Sequence, residues 1–90
     1  MKIIWSPRAR SDRMRIFQHI AEDNFSAAGQ LDQSFDILVI GLLAFPQQGR
    51  PGRLKGTREL VAHPNYIMVY RLRRSEIEIA RIIHAAQRWP

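Results

Sequence analysis

Apolar residues recur along this chain with two different periods, and the change from one to the other divides it. Over residues 7–45 they recur every three or four positions, which is the spacing of one face of an α-helix. From residue 58 onward they recur every second position, which is the spacing of one face of a β-strand. The pattern therefore predicts a helical first part and a sheet-forming second part.

The first helix is expected to follow a short apolar strand over residues 2–5. Ser6 and Pro7 are typical of an N-cap followed by proline in the first helical turn, where the missing N–H is not needed. The helix is expected to run to about Asp23. Its predicted apolar face consists of Met14, Phe17, Ile20 and Ala21.

The second helix is predicted from the longest regular apolar pattern in the chain. Ser26 is expected to cap it, and Pro46 is expected to end it. Its main apolar face consists of Ala28, Leu31, Phe35, Leu38, Leu42 and Phe45. Four further apolar side chains point elsewhere, at Ile37, Val39, Ile40 and Leu43. The simpler interpretation is that these four also fill the core between helix and sheet; the alternative is that a partner chain covers some of them.

The second part of the chain is predicted to form an antiparallel meander. A turn-rich connector over residues 47–52 leads to strands over residues 58–62, 66–72 and 77–84, with a tight turn at residues 73–75. The predicted architecture is a single α+β domain, residues 1–90, in the order β-α-α-β-β-β. A helical hairpin packs on one face of a small, mainly antiparallel sheet.

Composition narrows the class of protein. The chain has no cysteine, so it offers no disulfide framework and no thiolate ligand or nucleophile. The N-terminal apolar run is too short for a signal peptide, and the longest apolar stretch, residues 37–45, is far below the roughly 20 residues that span a bilayer. We therefore expect a cytoplasmic protein that makes no membrane contact.

Charge is unevenly distributed. Residues 1–45 carry five cationic and five acidic side chains, whereas residues 46–90 carry nine cationic and only three acidic ones, which accounts for the net charge of +6. Eight of those nine cations are arginine, whose planar guanidinium suits phosphate and carboxylate oxygens. The second half is therefore expected to engage a nucleic acid or an acidic protein segment, although a basic surface that serves only solubility is the alternative.

Two groups of cations are candidates for that contact. The loop over residues 49–58 carries four cations and three glycines, but it lacks the spacing of a nucleotide-binding P-loop. Arg71 and Arg81 lie on neighbouring predicted strands, on a face shared with Val69 and Ile79. At the open end of the sheet they would form a basic concave surface with Arg53, Lys55 and Arg58; isolated surface arginines are the alternative.

Three histidines are candidates for acid–base chemistry. His84 ends the last predicted strand, close in space to whatever the basic loop contacts, and is suited to proton transfer in RNA cleavage. His63 lies in a turn and His19 on the outside of the first helix, where solvent exposure is expected. Their spacing is not that of metal ligands, and no carboxylate cluster accompanies them, so neither a metal nor another cofactor is predicted.

Several stretches together resemble the RelE/ParE superfamily of type II toxin–antitoxin toxins, and the sequence is nearer to the ParE branch. The matching stretches are Trp5-Ser6-Pro7-Arg8-Ala9, Gly49 to Arg53, Gly56 to Leu60, His63 to Arg71, Ile79 to His84 and Gln87-Arg88-Trp89-Pro90. The resemblance covers almost the whole chain, with the helical hairpin matched in length and pattern alone.

This resemblance implies a growth-inhibiting toxin, with a role in plasmid maintenance, that a cognate antitoxin neutralises. ParE-like toxins act on DNA gyrase, and in that case no residue of this chain is catalytic. RelE-like toxins cut mRNA on the ribosome; Arg58, Arg71 and Arg81 would then stabilise the phosphate, and His84 would transfer the proton. The predicted partner-binding residues are Arg50, Arg53, Lys55, Arg58, Arg71, Arg81, Arg88 and Trp89.

Overall fold

The structure, a computed structural model, describes residues 1–90 and contains two helices and one five-stranded sheet. The elements are β1 (Lys2–Trp5), α1 (Pro7–Ala21), α2 (Phe25–Ala44), β2 (Arg50–Pro51), β3 (Arg58–His63), β4 (Tyr66–Leu72) and β5 (Glu76–His84). The strand order across the sheet is β1-β5-β4-β3-β2; β1 is parallel to β5 and the other neighbours are antiparallel. The predicted α+β fold, with a helical hairpin on one face of the sheet, is confirmed.

Helix α1 begins as predicted and ends two residues early. The Ser6 hydroxyl accepts the backbone N–H of Ala9 at 3.0 Å, and Pro7 lies in the first turn. The last helical residue is Ala21, whereas the predicted end was Asp23.

The predicted apolar face of α1 is wrong at Met14, whose side chain is 64% exposed. The face that meets the sheet contains Ala9 and Asp12, with Ile16 and Ile20 half-buried. Asp12 fixes this orientation because its carboxylate bonds to β5. Met14, two residues further on, is rotated about 200° around the helix and faces solvent.

Helix α2 is capped by Asn24 rather than by the predicted cap Ser26. The Asn24 carboxamide oxygen accepts the N–H of Ala27 at 3.0 Å from an extended N-cap position, which leaves Ser26 inside the first turn. The predicted core stripe is confirmed except at Phe45, which is 71% exposed because the helix ends at Ala44.

The outer side of α2 is apolar and uncovered. Ile37, Ile40 and Leu43 are 64%, 65% and 43% exposed, and Val39 is buried against the sheet. The interpretation that all four residues fill the core is therefore wrong for three of them, because they lie on the side of the helix away from the sheet. Neither helix is long and apolar enough to cross a membrane.

The two faces of the sheet differ in what covers them. The helix face carries Tyr66, Met68 and Tyr70 of β4, which pack with the buried side chains of α2 in the main core. The Tyr70 hydroxyl accepts the N–H of Gly49 at 2.9 Å and donates to the carbonyl of Pro46 at 2.8 Å, which attaches the α2–β3 connection to the sheet. The opposite face, which we call the open face, has no helix against it.

A β-bulge at Ala80 changes the alternation of β5. Val69 pairs with Arg81 and Tyr70 pairs with Ile79, so Ala80 is an extra residue on β5. Ile79 and Ile82 consequently face the helices, while Arg81 and Ile83 face the open side. The predicted shared face of Arg81 and Ile79 is therefore wrong, whereas the one shared by Arg71, Val69 and Arg81 is found.

Two short features of the sheet differ from the prediction. Residues 50–51, predicted as part of a connector, form the edge strand β2 against Glu59 and Arg58. Strand β3 continues one residue further than predicted, to His63, past a register shift between Val61 and His63. These changes extend the sheet beside the basic loop.

Candidate functional site

The open face carries a groove of about 330 Å³. Its lining comes from the start of α1, the loop after β2, strands β4 and β5, and the C-terminal segment. The charged side chains in it are Arg8, Arg71, Arg81 and Glu78. The groove therefore brings together two of the predicted arginines, Arg71 and Arg81, on adjacent strands.

Arg81 is held by a buried carboxylate that the sequence analysis did not identify. Asp12, 5% exposed, accepts from Arg81 Nε at 2.8 Å and Nη2 at 3.1 Å, and from Arg15 Nη2 at 3.0 Å. It also accepts the backbone N–H of Ile82 at 2.9 Å. Because β1 ends at Trp5, this carboxylate supplies the acceptor that a longer edge strand would have given to β5.

Ser6 completes the same junction one residue before α1. Its N–H donates to the carbonyl of Ile79 at 3.0 Å, and its hydroxyl donates to the carbonyl of Ala80 at 2.8 Å. The side chains of Ser6 and Asp12 thus continue the pairing of β5 where β1 stops. The position of Arg81 is therefore determined by both the bulge and the first turns of α1.

The basic loop is organised around Glu59, whose carboxylate is 1% exposed. Glu59 accepts from Arg50 Nη2 at 3.2 Å and from the backbone N–H of Arg53 at 2.9 Å, and Arg53 Nε lies 3.4 Å away. Burial raises the pKa of Glu59, but the hydrogen bonds and charges of Arg53 and Arg50 together hold it below its ordinary value. Glu59 is therefore ionised at neutral pH and binds both arginines.

Several backbone N–H groups of this loop are satisfied internally. The N–H of Gly52 donates to Thr57 at 2.8 Å, that of Thr57 donates to Leu54 at 3.1 Å, and Gly56 turns the chain with a φ of +83°. Gly49 has no room for a side chain, because a Cβ there would lie 2.7 Å from the Tyr70 hydroxyl. These N–H groups are consequently not directed outward as a phosphate cradle.

The remaining predicted cations divide into those that are bonded to other groups of the chain and those that are not. Arg71 and Arg73 each lie 3.3 Å from the Glu78 carboxylate. Arg58 does not join this group; it donates to the carbonyls of Gly49 at 2.8 Å and Gln47 at 3.3 Å. The predicted partner-binding cations that make no ion pair within the chain and donate to none of its carbonyls are Lys55 and Arg88.

Trp89 packs back over the sheet. Its indole lies against Ile67, Val69 and Ile83 on the open face, and the Arg81 guanidinium stands 5.4 Å from the ring centroid. The indole Nε1 is buried and has no hydrogen-bond partner. Trp89 is therefore part of the groove wall.

A second cleft, of about 240 Å³, lies between α1 and the end of β5. It contains His84 and His19 together with Arg81 and Arg15. His84 Nδ1 accepts the N–H of Ala86 at 3.1 Å, so the hydrogen of the neutral ring lies on Nε2. The free nitrogen of this imidazole can therefore donate a hydrogen bond, but it does not accept a proton in that tautomer.

The four residues named for mRNA cleavage do not share one cleft. His84 and Arg81 line the cleft beside α1, Arg71 and Arg81 line the open-face groove, and Arg58 lies at a third depression near Pro51. His63 also has its Nδ1 occupied, by the N–H of Asn65 at 3.1 Å. No group of three or more His, Asp or Glu side chains is placed to hold a metal ion.

The sequence analysis did not identify the carboxylates of Asp12 and Glu59, because neither residue stands out in the sequence. Asp12 occupies a core-facing position of α1, with Ala9 three residues before it and Ile16 four residues after it. Glu59 lies on a strand between two cationic stretches. An acidic residue in an apolar stripe was the available signal for Asp12, since buried carboxylates require partners.

An apolar surface lies on the other side of the molecule. Ile37, Ile40 and Leu43 of α2 are exposed, and below them Met1, Phe45 and Leu72 line an open cavity of about 740 Å³. We call these six residues the α2 surface. Side chains of this kind on a small domain are suited to contact with a partner protein.

Comparisons with known proteins bear on this arrangement. The family model described as the ParE toxin of type II toxin–antitoxin systems, parDE, matches residues 3–89. The candidate toxin Y4kP of Sinorhizobium fredii is 40% identical over 90 residues, which cover 99% of this chain and 93% of that protein.

Solved structures show the same fold. A chain of the chromosomal ParDE toxin–antitoxin system from P. aeruginosa is 26% identical and aligns with a TM-score of 0.83, over 93% of this chain and 95% of that one. The YoeB/ParE toxin from Agrobacterium tumefaciens is 15% identical with a TM-score of 0.68, over 93% and 98% of the two chains. YafQ from E. coli is 19% identical with a TM-score of 0.61, over 93% and 92%.

Proposed function

This chain is a member of the ParE toxin family of type II toxin–antitoxin systems, and on that premise we propose that it inhibits DNA gyrase in the cytoplasm and is neutralised by a cognate antitoxin. Growth inhibition and plasmid maintenance are the physiological roles that follow from such an activity. The chain itself then needs no catalytic residue, because it acts by binding the enzyme.

The observation that carries this proposal is the separation of the four candidate nuclease residues. RNA cleavage requires a base, an acid and a charge-stabilising group around one phosphate. Arg58, Arg71 and His84 instead line three different depressions. The Nδ1 atom of His84 is also occupied by the N–H of Ala86, so one ring nitrogen is left to contact RNA.

The open face is the surface we assign to gyrase. Each of its arginine pairs shares one carboxylate, so each cluster keeps one net positive charge in a fixed place. Lys55 lies in the loop beside this face and Arg88 immediately precedes Trp89, and neither is paired. An acidic protein surface or the DNA held by the enzyme would meet these charges.

The α2 surface is the one we assign to the antitoxin. A flexible antitoxin segment with apolar and acidic side chains gains most by covering exposed aliphatic residues, here Ile37 and Ile40. One cationic side chain, that of Arg73, lines the cavity below them and can pair with an acidic side chain. Antitoxin affinity should therefore fall as salt is added, but only in part.

A RelE-like ribonuclease is the second candidate, and one observation favours it. Arg81 and His84 line the same cleft, together with His19 and Arg15. A phosphate bound there would contact a guanidinium and an imidazole at once. Ribosome-dependent cleavage of mRNA would then be the activity, with the ribosome and mRNA as partners.

Two parallel assays distinguish the candidates. Purified toxin is titrated into gyrase supercoiling with linear DNA as the readout, and into ribosome-dependent mRNA cleavage. The matched variant is His84→Gln, which removes the imidazole from an exposed position. We expect linear DNA to accumulate while mRNA stays intact, equally for the wild-type protein and for His84→Gln. Cleavage of mRNA by the wild-type protein that is lost in His84→Gln would overturn the proposal.

A further inference from the structure

A small second core lies on the open face, where no helix covers the sheet. Ile67, Val69 and Ile83 are only 6%, 0% and 1% exposed, although they point away from the main core. The partly buried apolar side chain packed against them is Trp89, the penultimate residue of the chain. The burial of this aliphatic floor therefore depends on the C-terminal segment.

The C-terminal segment is attached before Trp89 and not at it. Ala85 N–H donates to the carbonyl of Asn65 at 2.7 Å, and Gln87 N–H donates to that of His84 at 2.9 Å. Beyond Gln87 no backbone hydrogen bond holds the chain, and the indole Nε1 is buried without a partner. Trp89 is thus held by its ring alone, against the aliphatic floor and the Arg81 guanidinium.

From this arrangement we propose that the open face carries a receptor for an aromatic side chain, which the chain's own Trp89 occupies when no partner is bound. The floor is Ile67, Val69 and Ile83, and the side wall is Arg81. A partner's aromatic residue can replace Trp89 because the site offers packing and a cation but no hydrogen bond specific to the indole.

The rim of the receptor specifies what surrounds the aromatic ring in the ligand. Arg8, Arg71 and Arg81 line the groove beside Trp89, against one carboxylate, Glu78. The ligand is therefore an acidic protein segment that carries an aromatic side chain next to a carboxylate. When it binds, Trp89 is released and becomes available to the partner. The receptor does not depend on whether gyrase or the ribosome is the target.

The direct test empties the receptor with Trp89→Ala and adds small probes. N-acetyl-tryptophan, which carries a carboxylate, and N-acetyl-tryptophanamide, which is neutral, are titrated while the methyl resonances are followed by NMR. We expect both probes to shift Ile67, Val69 and Ile83, with the acid bound about threefold tighter at low salt. Ile77, buried on the helix face, is the internal control and stays unshifted.

Comparison with the wild-type chain tests self-occupancy. There the resident indole competes from within the molecule, so the same shifts require at least about tenfold more probe. Failure of both probes to shift the floor residues of Trp89→Ala, or equal probe affinity in the two proteins, would overturn the proposal.

A second measurement does not require Trp89→Ala to fold. Trp5→Phe leaves Trp89 as the sole tryptophan, so acrylamide quenching of its fluorescence reports whether the indole is covered. N-acetyl-phenylalanine, which does not fluoresce in that range, should raise the quenching constant about twofold by displacing the indole. Quenching that is already complete without the probe, or that never changes with it, contradicts self-occupancy.

Discussion

The helical hairpin and the open face use the same kinds of charged residue in opposite proportions. In the hairpin one arginine lies between two carboxylates: Arg13 is 2.6 Å from Asp32 and 2.8 Å from Asp36. At the open face and at its border with α1, each of three carboxylates lies between two arginines: Asp12 of α1 with Arg15 and Arg81, Glu59 with Arg50 and Arg53, and Glu78 with Arg71 and Arg73. Pairing therefore fixes the positive charge of this face in place without cancelling it.

The carboxylates of the two regions also differ in exposure. The side chains of Asp32 and Asp36 are 36% and 60% exposed, whereas those of Asp12 and Glu59 are 5% and 1% exposed. Removing a buried partner leaves a desolvated charge behind, while an exposed pair is replaced by water. The same substitution should therefore have a larger effect near the open face than in the hairpin.

Asp12→Ala should give the largest loss. The substitution leaves the Arg81 guanidinium and the N–H of Ile82 without their acceptor. We therefore expect the free energy of unfolding to fall by about 3 kcal/mol. Asp36→Ala is the matched control, with a loss below about 1 kcal/mol. Urea denaturation of both variants measures the difference, and equal losses would mean that burial of the carboxylate is not what matters.

Glu59→Gln should have a smaller effect that depends on pH. The pKa of Glu59 in the folded chain lies below its ordinary value of 4.5, so its ionised form stabilises the fold above that pH. This contribution is lost as the pH falls through the folded-state pKa. We expect wild type to exceed Glu59→Gln by about 1–2 kcal/mol at pH 7 and by less below pH 4.5 in thermal unfolding. A stability difference between wild type and Glu59→Gln that does not vary with pH would contradict a stabilising role for the ionised carboxylate.

Arg13→Met examines the hairpin side of the comparison. The hydrogen bond from Arg13 holds the pKa of Asp36 below its ordinary range, and the Arg13 guanidinium also lies 4.9 Å from the Trp5 ring centroid. Methionine keeps the apolar contact and loses the charge. We expect a loss of about 0.5–1 kcal/mol that shrinks when the salt concentration is raised. A loss as large as that of Asp12→Ala would remove the distinction between the two regions.

Trp89→Phe should change stability least. It keeps an aromatic ring on the aliphatic floor and removes an indole N–H that has no partner. We expect the free energy of unfolding to change by less than about 0.5 kcal/mol. A marked loss in urea denaturation would instead indicate that the indole makes a bond essential to the fold.

The elements of the fold could be predicted from sequence because they follow from local patterns. The alternation in Tyr66 to Leu72 and the spacing from Ala28 to Leu42 specify a strand and a helix without further information. The order strand, helix, helix and meander then follows from the order of those patterns along the chain.

The arrangement of the site could not be predicted in the same way. The bulge at Ala80 re-aims Arg81, and nothing in the local sequence marks it. Asp12 binds a strand 70 residues away, a contact that depends on where β1 stops. Which arginines are paired and which are free is likewise a property of tertiary structure, because Glu59 and Glu78 select their partners across strands.

The claim that the chain acts on gyrase through its open face is tested most directly by the toxin concentration that gives half-maximal linear DNA. Lys55→Ala/Arg88→Ala removes the two unpaired predicted cations. Lys2→Ala/Arg74→Ala removes the same charge from two other exposed positions, at the start of β1 and in the β4–β5 turn. We predict an increase of at least about tenfold for the first pair and less than about twofold for the second. Equal increases, or no linear DNA with any of the three proteins, would contradict the account.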